Sequence, residues 1–491
     1  MESTRATLVA FPQAGILGDN EEYHNAAQAH VKALTKLSSD AKWASQASQL
    51  IEQLDPSTHS LSYLYVLQTL KSANSYPLDD LLLKLTAFFT SFDARQIRYG
   101  GKAFTKLLSQ PRLQDVFPAS VAVELIATAL LQLDPTGSVL TSHHTDLVRF
   151  AYMTNSVEPV LPIIEKNIVF YPGIRGYTNT RLLSDPDLPP SGFIAVLDHD
   201  FSKPLDTEKI LEHDLLRGLC FIQRRSWQQA FDALERVITF PSRETNNASK
   251  IMVEAYNKWI LVGLLLKGKA PVLPSITSVG PRKIYDTTGK PYYALAQAFE
   301  KRTAEAFKGE YEGLSQAFWD EEKNFSLLKL VIEHYQKWQI LNLRHVYSKI
   351  SLEQIRTRTR SGETAAPLGS VQEIEALVKG MIDEEILQGE VVHPENGGPA
   401  YLAFSSAADD LTEEEFTRRM VGAGQRIKEL GPVVRATNER LASNKDYLKW
   451  LAQQKRQEQQ QGQSQGGGAG EVPGFGDVVE DEDLMTGIVA G

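Results

Sequence analysis

"VYSKISLEQIRTRTRSGETAAPLGSVQEIEALVKGMIDEEILQGEVV", from Val346 to Val392, is the stretch on which the fold class turns. It orders a short helix, a loop, a longer helix and a strand. Ser370 and Glu373 have the S-x-x-E spacing of a capping box. Val371, Ile374, Leu377, Val378, Met381 and Ile382 follow at threes and fours, so one helix face is apolar. Gly389 is expected to close that helix. The continuation "EVVHPENGGPAYLAF" (390–404) places two short apolar runs around a Pro/Gly turn, which predicts a β-hairpin. Val391, Val392, Tyr401, Leu402 and Phe404 are expected to form its strands, with one backbone edge free to pair with another chain.

Helix, loop, helix and hairpin in this order make a winged-helix module, and such modules often read DNA. The charge argues otherwise. The exposed face of the longer helix carries Glu373, Glu375, Asp383, Glu384 and Glu385 against Lys379. A helix in a major groove has to neutralise phosphates, and these carboxylates repel them. The reading is a protein–protein module. Arg356, Arg358 and Arg360 precede the acidic helix and read as a solvated loop or as pairing with an acidic neighbour.

Upstream, residues 25–170 read as consecutive amphipathic helices ("EYHNAAQAHVKALTKL", "LSYLYVLQTLKSA", "LDDLLLKLTAFFTSF", "VAVELIATALLQL") separated by Pro, Gly, Asp and Ser. No such pair buries its own apolar stripe, so the pairs are expected to stack into an α-solenoid of TPR- or HEAT-like repeats. Residues 171–205, rich in Pro, Gly and Asp, break the pattern and read as an exposed inserted loop with one short strand at Phe193–Leu197. Helices resume near Asp206. "GLCFIQRRSWQQAFDALERVITFP" resembles one tetratricopeptide unit, with Gly218, Phe221, Ala230 and Leu234 at its packing positions and Pro241 ending it. "ASKIMVEAYNKWILVGLLLKGK" reads as a buried helix closed by Gly268.

After the hairpin, Thr412 and Glu415 repeat the capping-box spacing. Phe416, Met420, Ile427, Leu430, Val434, Leu441 and Leu448 then recur at sevens, threes and fours, a long helix with a narrow apolar seam. Gly431-Pro432 should kink or interrupt it. The seam is expected to serve assembly with other chains. From Gln459 the composition turns to Gln and Gly, then to "VVEDEDLMTG", a disordered tail by composition. The division expected is helical repeats over 1–205 with the loop at 171–205, helical repeats over 206–324 leading into a winged helix over 325–405, a bundle helix over 411–458, and the tail over 459–491.

The totals fit this picture. The chain has 491 residues and a net charge of −10, with a pI of about 5.6, which argues against bulk nucleic-acid binding. Its one cysteine, Cys220, sits in an apolar stretch, so no intrachain disulfide exists and a reducing compartment fits. "WILVGLLLKGK" is too short to span a bilayer, and "MESTRATLVAFPQ" does not read as a signal peptide.

Catalytic signatures are not found. "VGPRKIYDTTGKPY" lacks the first glycine of a phosphate loop and has Pro291 where the hydroxyl residue belongs, so it reads as a turn-rich loop. His143, His144 and Asp146 lie close together, but a metal needs further ligands; a helix start capped by Thr141, Ser142 or Asp146 is the plainer reading. No H-E-x-x-H, G-x-S-x-G or C-x-x-C occurs, and no cofactor or metal is expected.

Helical repeats feeding a winged helix and a terminal helix resemble a PCI domain, shared by the proteasome lid, the COP9 signalosome and a translation initiation factor. "HSLSYLYVLQTL" (59–70), "VLTSHHTDLVRFAYMTNSVEPVLPII" (139–164), "ASKIMVEAYNKWILVGLLLKGKAPVLP" (248–274) and "YSKISLEQI…VQEIEALVKGMIDEEI" (347–386) are similar, in order and spacing, to the signalosome subunit 3 family, over roughly residues 55–405. The resemblance implies a non-catalytic scaffold in the complex that removes a ubiquitin-like modifier from cullins and so regulates cullin-RING ubiquitin ligases. Catalysis there is zinc metallopeptidase chemistry in a different subunit, whose H-x-H and distant Asp are missing here. The resemblance also implies winged helices paired edge to edge, subunits 1 and 8 as neighbours, no membrane or nucleic-acid partner, and residence in nucleus and cytoplasm. The alternatives are a PCI scaffold of the proteasome lid, a nucleic-acid-binding PCI protein, and an enzyme.

Overall fold

The structure is a computed structural model. It describes residues 2–405, apart from 14, 16–17, 39–40, 74–75, 109–116, 175–176, 180, 242–247, 302 and 395–397, and then residues 413–442 and Lys449. The described residues up to Gly422 form one compact unit and those from Ala423 another.

The first half is a succession of helices: α1 (Glu2–Val9), α2 (Asn20–Ser38), α3 (Ala41–Leu50), α4 (Ser60–Ala73), α5 (Leu78–Ser91), α6 (Ala94–Ile97), α7 (Gly101–Leu108), α8 (Ala119–Leu133), α9 (Ser142–Met153) and α10 (Leu161–Ile164). Neighbours in sequence pack as neighbours in space (α3 on α4, α4 on α5, α5 on α8, α8 on α9), as a solenoid requires. Aromatic rings make much of this core. Phe88 stacks on Tyr63 and Phe92, and Phe92 meets Phe104 edge-on.

The segment 171–205 departs from expectation. It is not an exposed loop, and Phe193–Leu197 is not a strand. Leu188, Phe193, Ile194, Ala195, Val196 and Phe201 are buried, in and around two 3₁₀ turns at Pro190–Gly192 and Leu197–His199. The reason is local charge-to-carbonyl bonding. Arg95 Nε donates to the Ser184 carbonyl at 2.6 Å, and Arg98 Nη1 donates to the carbonyls of Leu183 and Asp185. The Arg98 guanidinium also lies over the Phe193 ring. Two arginines of the α6 region thus satisfy the backbone that a free loop would leave to water.

Helices resume with α11 (Thr207–Gln223), capped by Asp206, whose carboxylate accepts from Lys209 N. With α12 (Trp227–Ile238) it forms the tetratricopeptide-like pair. A Cβ at Gly218 would stand 3.0 Å from Leu234, so glycine is what lets the two helices approach. Helix α13 (Lys250–Lys267) is the centre of the fold: Ala255 to Leu265 is buried without a break, and it touches α12, α14 (Val279–Thr288), α15 (Lys290–Glu300) and α18 (Phe325–Leu343). An all-round apolar helix has to be enclosed in this way. Gly268 ends it at φ +64, closely covered by Trp338. Cys220 is fully buried, and burial pushes its thiol up to about 12.

The stretch 279–292 is not a turn-rich loop. It is α14 followed at once by α15, with Gly289 as the joint. Pro291 falls in the first turn of α15, where its missing N–H costs nothing. Gly289 is buried because Tyr256 fills the space a side chain would need, 2.3 Å from its Cβ position. Helices α16 (Ala304–Glu312) and α17 (Gln316–Glu321) complete the repeats.

The winged helix follows as β1 (Lys349–Ser351), α19 (Leu352–Arg358), α20 (Val371–Asp383), β2 (Gly389–Val392) and β3 (Tyr401–Phe404). It has its own core: Ile340, Ile350, Leu352, Ile355, Ile374, Val378, Met381, Leu387 and Leu402. Ser370 Oγ accepts from Glu373 N at 3.2 Å, and the Glu373 carboxylate accepts from Gly369 N at 3.2 Å. Gly389 does not close α20. The helix ends at Asp383, the chain turns at Glu385 with φ +56, and Gly389 opens β2. Its Cβ position lies 2.6 Å from the Ala403 carbonyl, so close strand approach is what demands glycine there.

Helix α21 (Glu413–Ala442) runs through Gly431-Pro432 without interruption. Proline removes one backbone donor, and the hydrogen bonds of the flanking turns hold the helix across it. The Thr412–Glu415 cap and residues 450–491, tail included, lie outside the described residues.

Candidate functional site

The hairpin becomes a three-stranded sheet in the order β1-β3-β2. β3 is central, with Ile350 opposite Leu402 on one side and Val391 opposite Leu402 on the other. β1 went unseen in the sequence because K-I-S is too short for a period-two signal. Phe404 N donates to Ser348 O and Leu352 N to Ala400 O on the β1 side, while Ser405 N donates to Gln388 O on the β2 side. Alternation along the ladder then turns the backbone groups of Gly389 and Val391 away from β3. Among the described residues no strand pairs with that outer edge of β2; β1 is the other edge strand of the sheet.

The side chains divide accordingly. Leu402 is fully buried in the second core and presents nothing to a partner. Val391 and Phe404 are half-buried against that core, Val392 and Tyr401 are half-buried, and Lys349 lies over the Tyr401 ring.

On α21, Phe416, Ile427, Leu430 and Val434 are 55%, 71%, 51% and 53% exposed, and Met420 with them. At 100° per residue, these five and Leu441 fall within a stripe about 80° wide. Leu441 belongs to the helix by position; Leu448 lies outside the described residues. Val421 is also exposed, off the stripe, so the seam pattern did not single it out.

The electrostatics of the winged helix turn inward. Glu375 pairs with Lys379 at 2.6 Å and His393 at 3.2 Å, and Lys379 holds its carboxyl below the usual range. Lys337 does the same for Glu384 at 2.7 Å. Arg356 pairs with Glu353, Arg358 lies over Tyr347, and Arg360 donates to the carbonyls of Thr357 and Thr359. The basic triplet is used by its own module.

Thr141 caps α9, with His144 Nδ1 at 3.2 Å from Thr141 N and 2.8 Å from Thr141 Oγ1. His144 is buried and burial drives it to about 3, a neutral structural ring. No group of three His, Cys, Asp or Glu side chains among the described residues is arranged to hold a metal ion. Among them, too, no helix is long and apolar enough to cross a membrane.

A helical solenoid ending in a winged helix with an open sheet edge defines a PCI-type subunit of a larger assembly. The family model for the N-terminal helical repeats of COP9 signalosome complex subunit 3 matches residues 21–179 and 193–279, passing over part of the 171–205 segment. The chain is 44% identical, over the full length of both, to COP9 signalosome complex subunit 3 of Neurospora crassa. It is 30% identical to that of Emericella nidulans over 89% of each chain, and 24% identical to that of Arabidopsis thaliana over 83% of this chain and 85% of the other. The chain belongs to the COP9 signalosome complex subunit 3 family. That membership separates it from the proteasome-lid alternative.

Proposed function

We propose that the chain is a non-catalytic scaffold subunit of a COP9 signalosome, the complex that deneddylates cullins and thereby regulates cullin-RING ubiquitin ligases. It holds neighbouring subunits, of which subunits 1 and 8 are the ones the family resemblance implies, and it meets cullin-RING ligases only through the complex. It needs no cofactor, binds neither nucleic acid nor membrane, and works in nucleus and cytoplasm. In this reading residues 1–205 and 206–324 are the repeat arms, 325–405 the docking module, 411–458 the bundle helix and 459–491 an appended tail. Two observations support it, each within its own unit: the exposed apolar stripe of α21, and the outer edge of β2, with which no described strand pairs. An exposed stripe of this kind is a solubility liability unless a partner covers it, and an unpaired strand edge is a template for strand addition.

Truncation after Ser406 tests the helix. The truncated chain is expected to melt cooperatively as a monomer and to drop out of the complex on gel filtration. Unchanged incorporation would show the helix to be dispensable, and a collapsed melting transition would assign it to this chain's own core. Val391→Pro tests the edge. Its N–H faces outward, so the ladder to β3 survives and only an external partner loses a donor. Melting is expected to fall only by the packing lost at the half-buried Val391 side chain, a loss that Val391→Ala reproduces, while affinity for the neighbouring subunit falls about tenfold in the proline variant alone. Equal affinity would remove edge pairing from the proposal.

A further inference from the structure

Between α13 and α14 the chain runs "APVLPSITSV" (270–279). Three aliphatic side chains there stand almost free: Val272 is 88% exposed, Ile276 76% and Val279 68%. The backbone beneath them is held. Pro271 is buried and sits where a Cβ on Gly263 would lie, 2.7 Å from its Cγ. Thr277 is buried and its N–H donates to the Pro274 carbonyl at 3.1 Å. Arg282 Nη2 donates to the same carbonyl at 3.2 Å. Two prolines and two bonds on one carbonyl make a preorganised knob, with little entropy left to lose on binding.

The charge around it is opposite to that of the chain. Lys267, Lys269, Arg282 and Lys283 are exposed, with Lys290 one helix on, against Asp286 as the only acidic side chain from 267 to 290. That is five positive against one negative in a chain of net charge −10. Among the described residues none of these five cations is in an ion pair; Lys267 lies over the Phe231 ring instead. A rigid aliphatic tip with a cationic collar is complementary to an apolar pocket rimmed by carboxylates. Three aliphatic side chains without an aromatic one, two on a loop and one at the first position of α14 rather than along one face of an amphipathic helix, are a poor match to a lipid interface.

We propose that residues 270–283 are a third docking surface, separate from the wing edge and from α21, and that they insert into an acid-rimmed apolar pocket of another protein subunit in the same assembly. The proposal rests on the assembly reading above and adds a contact to it.

The experiment uses the full chain, alone and in its purified native complex. Amine acetylation of Lys269 and Lys283 is followed by mass spectrometry, with Lys166 and Lys301 as reference lysines. A zero-length carbodiimide then joins lysines to carboxylates in contact. Labelling of Lys269 and Lys283 is expected to slow about tenfold in the complex, and cross-links are expected to run from them to Asp or Glu of a second subunit. Val272→Ser with Ile276→Ser, both exposed and so harmless to folding, is expected to weaken that subunit's binding about tenfold or more. Equal labelling in an intact signalosome overturns this proposal alone. Protection with carboxylate cross-links in an assembly of other composition supports it and overturns the proposed function. Recovery of the chain only as a monomer with open lysines overturns both. Binding to phosphatidylserine vesicles that the double variant abolishes, with no protection in the complex, replaces the protein partner by a membrane.

Discussion

Thermal unfolding is expected to shift down by several degrees when the pH is lowered from 7 to 5, a window in which histidines titrate ahead of most carboxylates. His30 and His144 are buried, and burial pushes them down to about 4 and about 3; burial also lowers His213, which is 1% exposed. Each ring is neutral in the fold and takes up a proton near pH 6.5 once unfolded. A folded value below the unfolded one means that the stability these rings permit is complete above about pH 6.5. It declines by about 1.4 kcal/mol per pH unit per histidine as the pH falls toward the folded value. For His30 and His144 together, pH 5 costs about 4 kcal/mol, a large share of the ordinary 5–15 kcal/mol of a folded domain. His213 adds to it. Glu52, Glu375 and Glu384, held low by Lys84, Lys379 and Lys337, lose their contribution only below about pH 4.5, outside this window. The His30 ring stacks on Phe11, and its Nε2 meets Ser62 Oγ at 2.9 Å, so charging it loosens the packing of α2 against α4 and the Phe11 turn. Differential scanning calorimetry at pH 7, 6 and 5 reads the slope. A midpoint independent of pH across that range would remove the neutral-histidine account, and His30→Gln should flatten the profile by about one histidine's share.

Gly101→Ala is expected to cost at least about 3 kcal/mol, because the added methyl group has nowhere to go. Its Cβ would stand 1.9 Å from the His199 carbonyl oxygen. Both atoms belong to backbone or are fixed to it, so no rotamer relieves the clash. The turn at Leu197–His199 has to leave α7. With it go the bond from Thr105 Oγ1 to the Asp200 carbonyl and the burial of Phe201 against Phe104. Urea unfolding measures the loss, and trypsin should cut the variant near Arg181 or Lys203 while sparing the parent. Gly380→Ala is the control: nothing lies within 4 Å of its Cβ and the site is helical, so it is expected to be neutral or slightly stabilising. Equal behaviour of the two variants would mean that the 171–205 segment is not anchored on α7.

Both predictions depend on contacts that no local pattern discloses. Arg95 and Arg98 look like ordinary surface cations of a short helix, and only the fold brings Leu183, Ser184 and Asp185 to them. The apolar run Phe193–Val196 suggests a strand, yet among the described residues no strand pairs with it, and its side chains are buried all the same. Gly389 and Gly289 are the same lesson in single residues. Gly389 reads as the stop of an apolar helix, but it is dictated by the Ala403 carbonyl across the ladder; Gly289 reads as part of a turn-rich loop, but it joins two helices under the Tyr256 ring.

The candidate site was legible in part for the same reason. Two short apolar runs around a Pro/Gly turn located β2 and β3, but such runs cannot say which strand lies in the middle. Once β1 adds to β3, Leu402 moves from a presumed contact to the centre of a core, and the free edge passes to Gly389 and Val391. The seam of α21 was readable because a helix carries its own backbone bonds, so spacing alone places Phe416, Ile427, Leu430 and Val434 on one face. That those side chains remain 51–71% exposed is a tertiary fact.

By itself, the amino-acid sequence determined what depends on neighbours within a few residues: the caps at Asp206, Ser249 and Ser370, the apolar stripes, the enclosed helix α13, and the order of solenoid, winged helix and terminal helix. Tertiary structure alone decided what depends on partners tens or hundreds of residues away. These are the anchoring of 171–205, the place of β1, glycines such as Gly101, Gly289 and Gly389 that meet another segment's atoms, and which apolar faces are left uncovered. The division follows from range: hydrogen bonds and periodicity act along four residues of chain, whereas burial is settled by whatever the folded chain brings alongside.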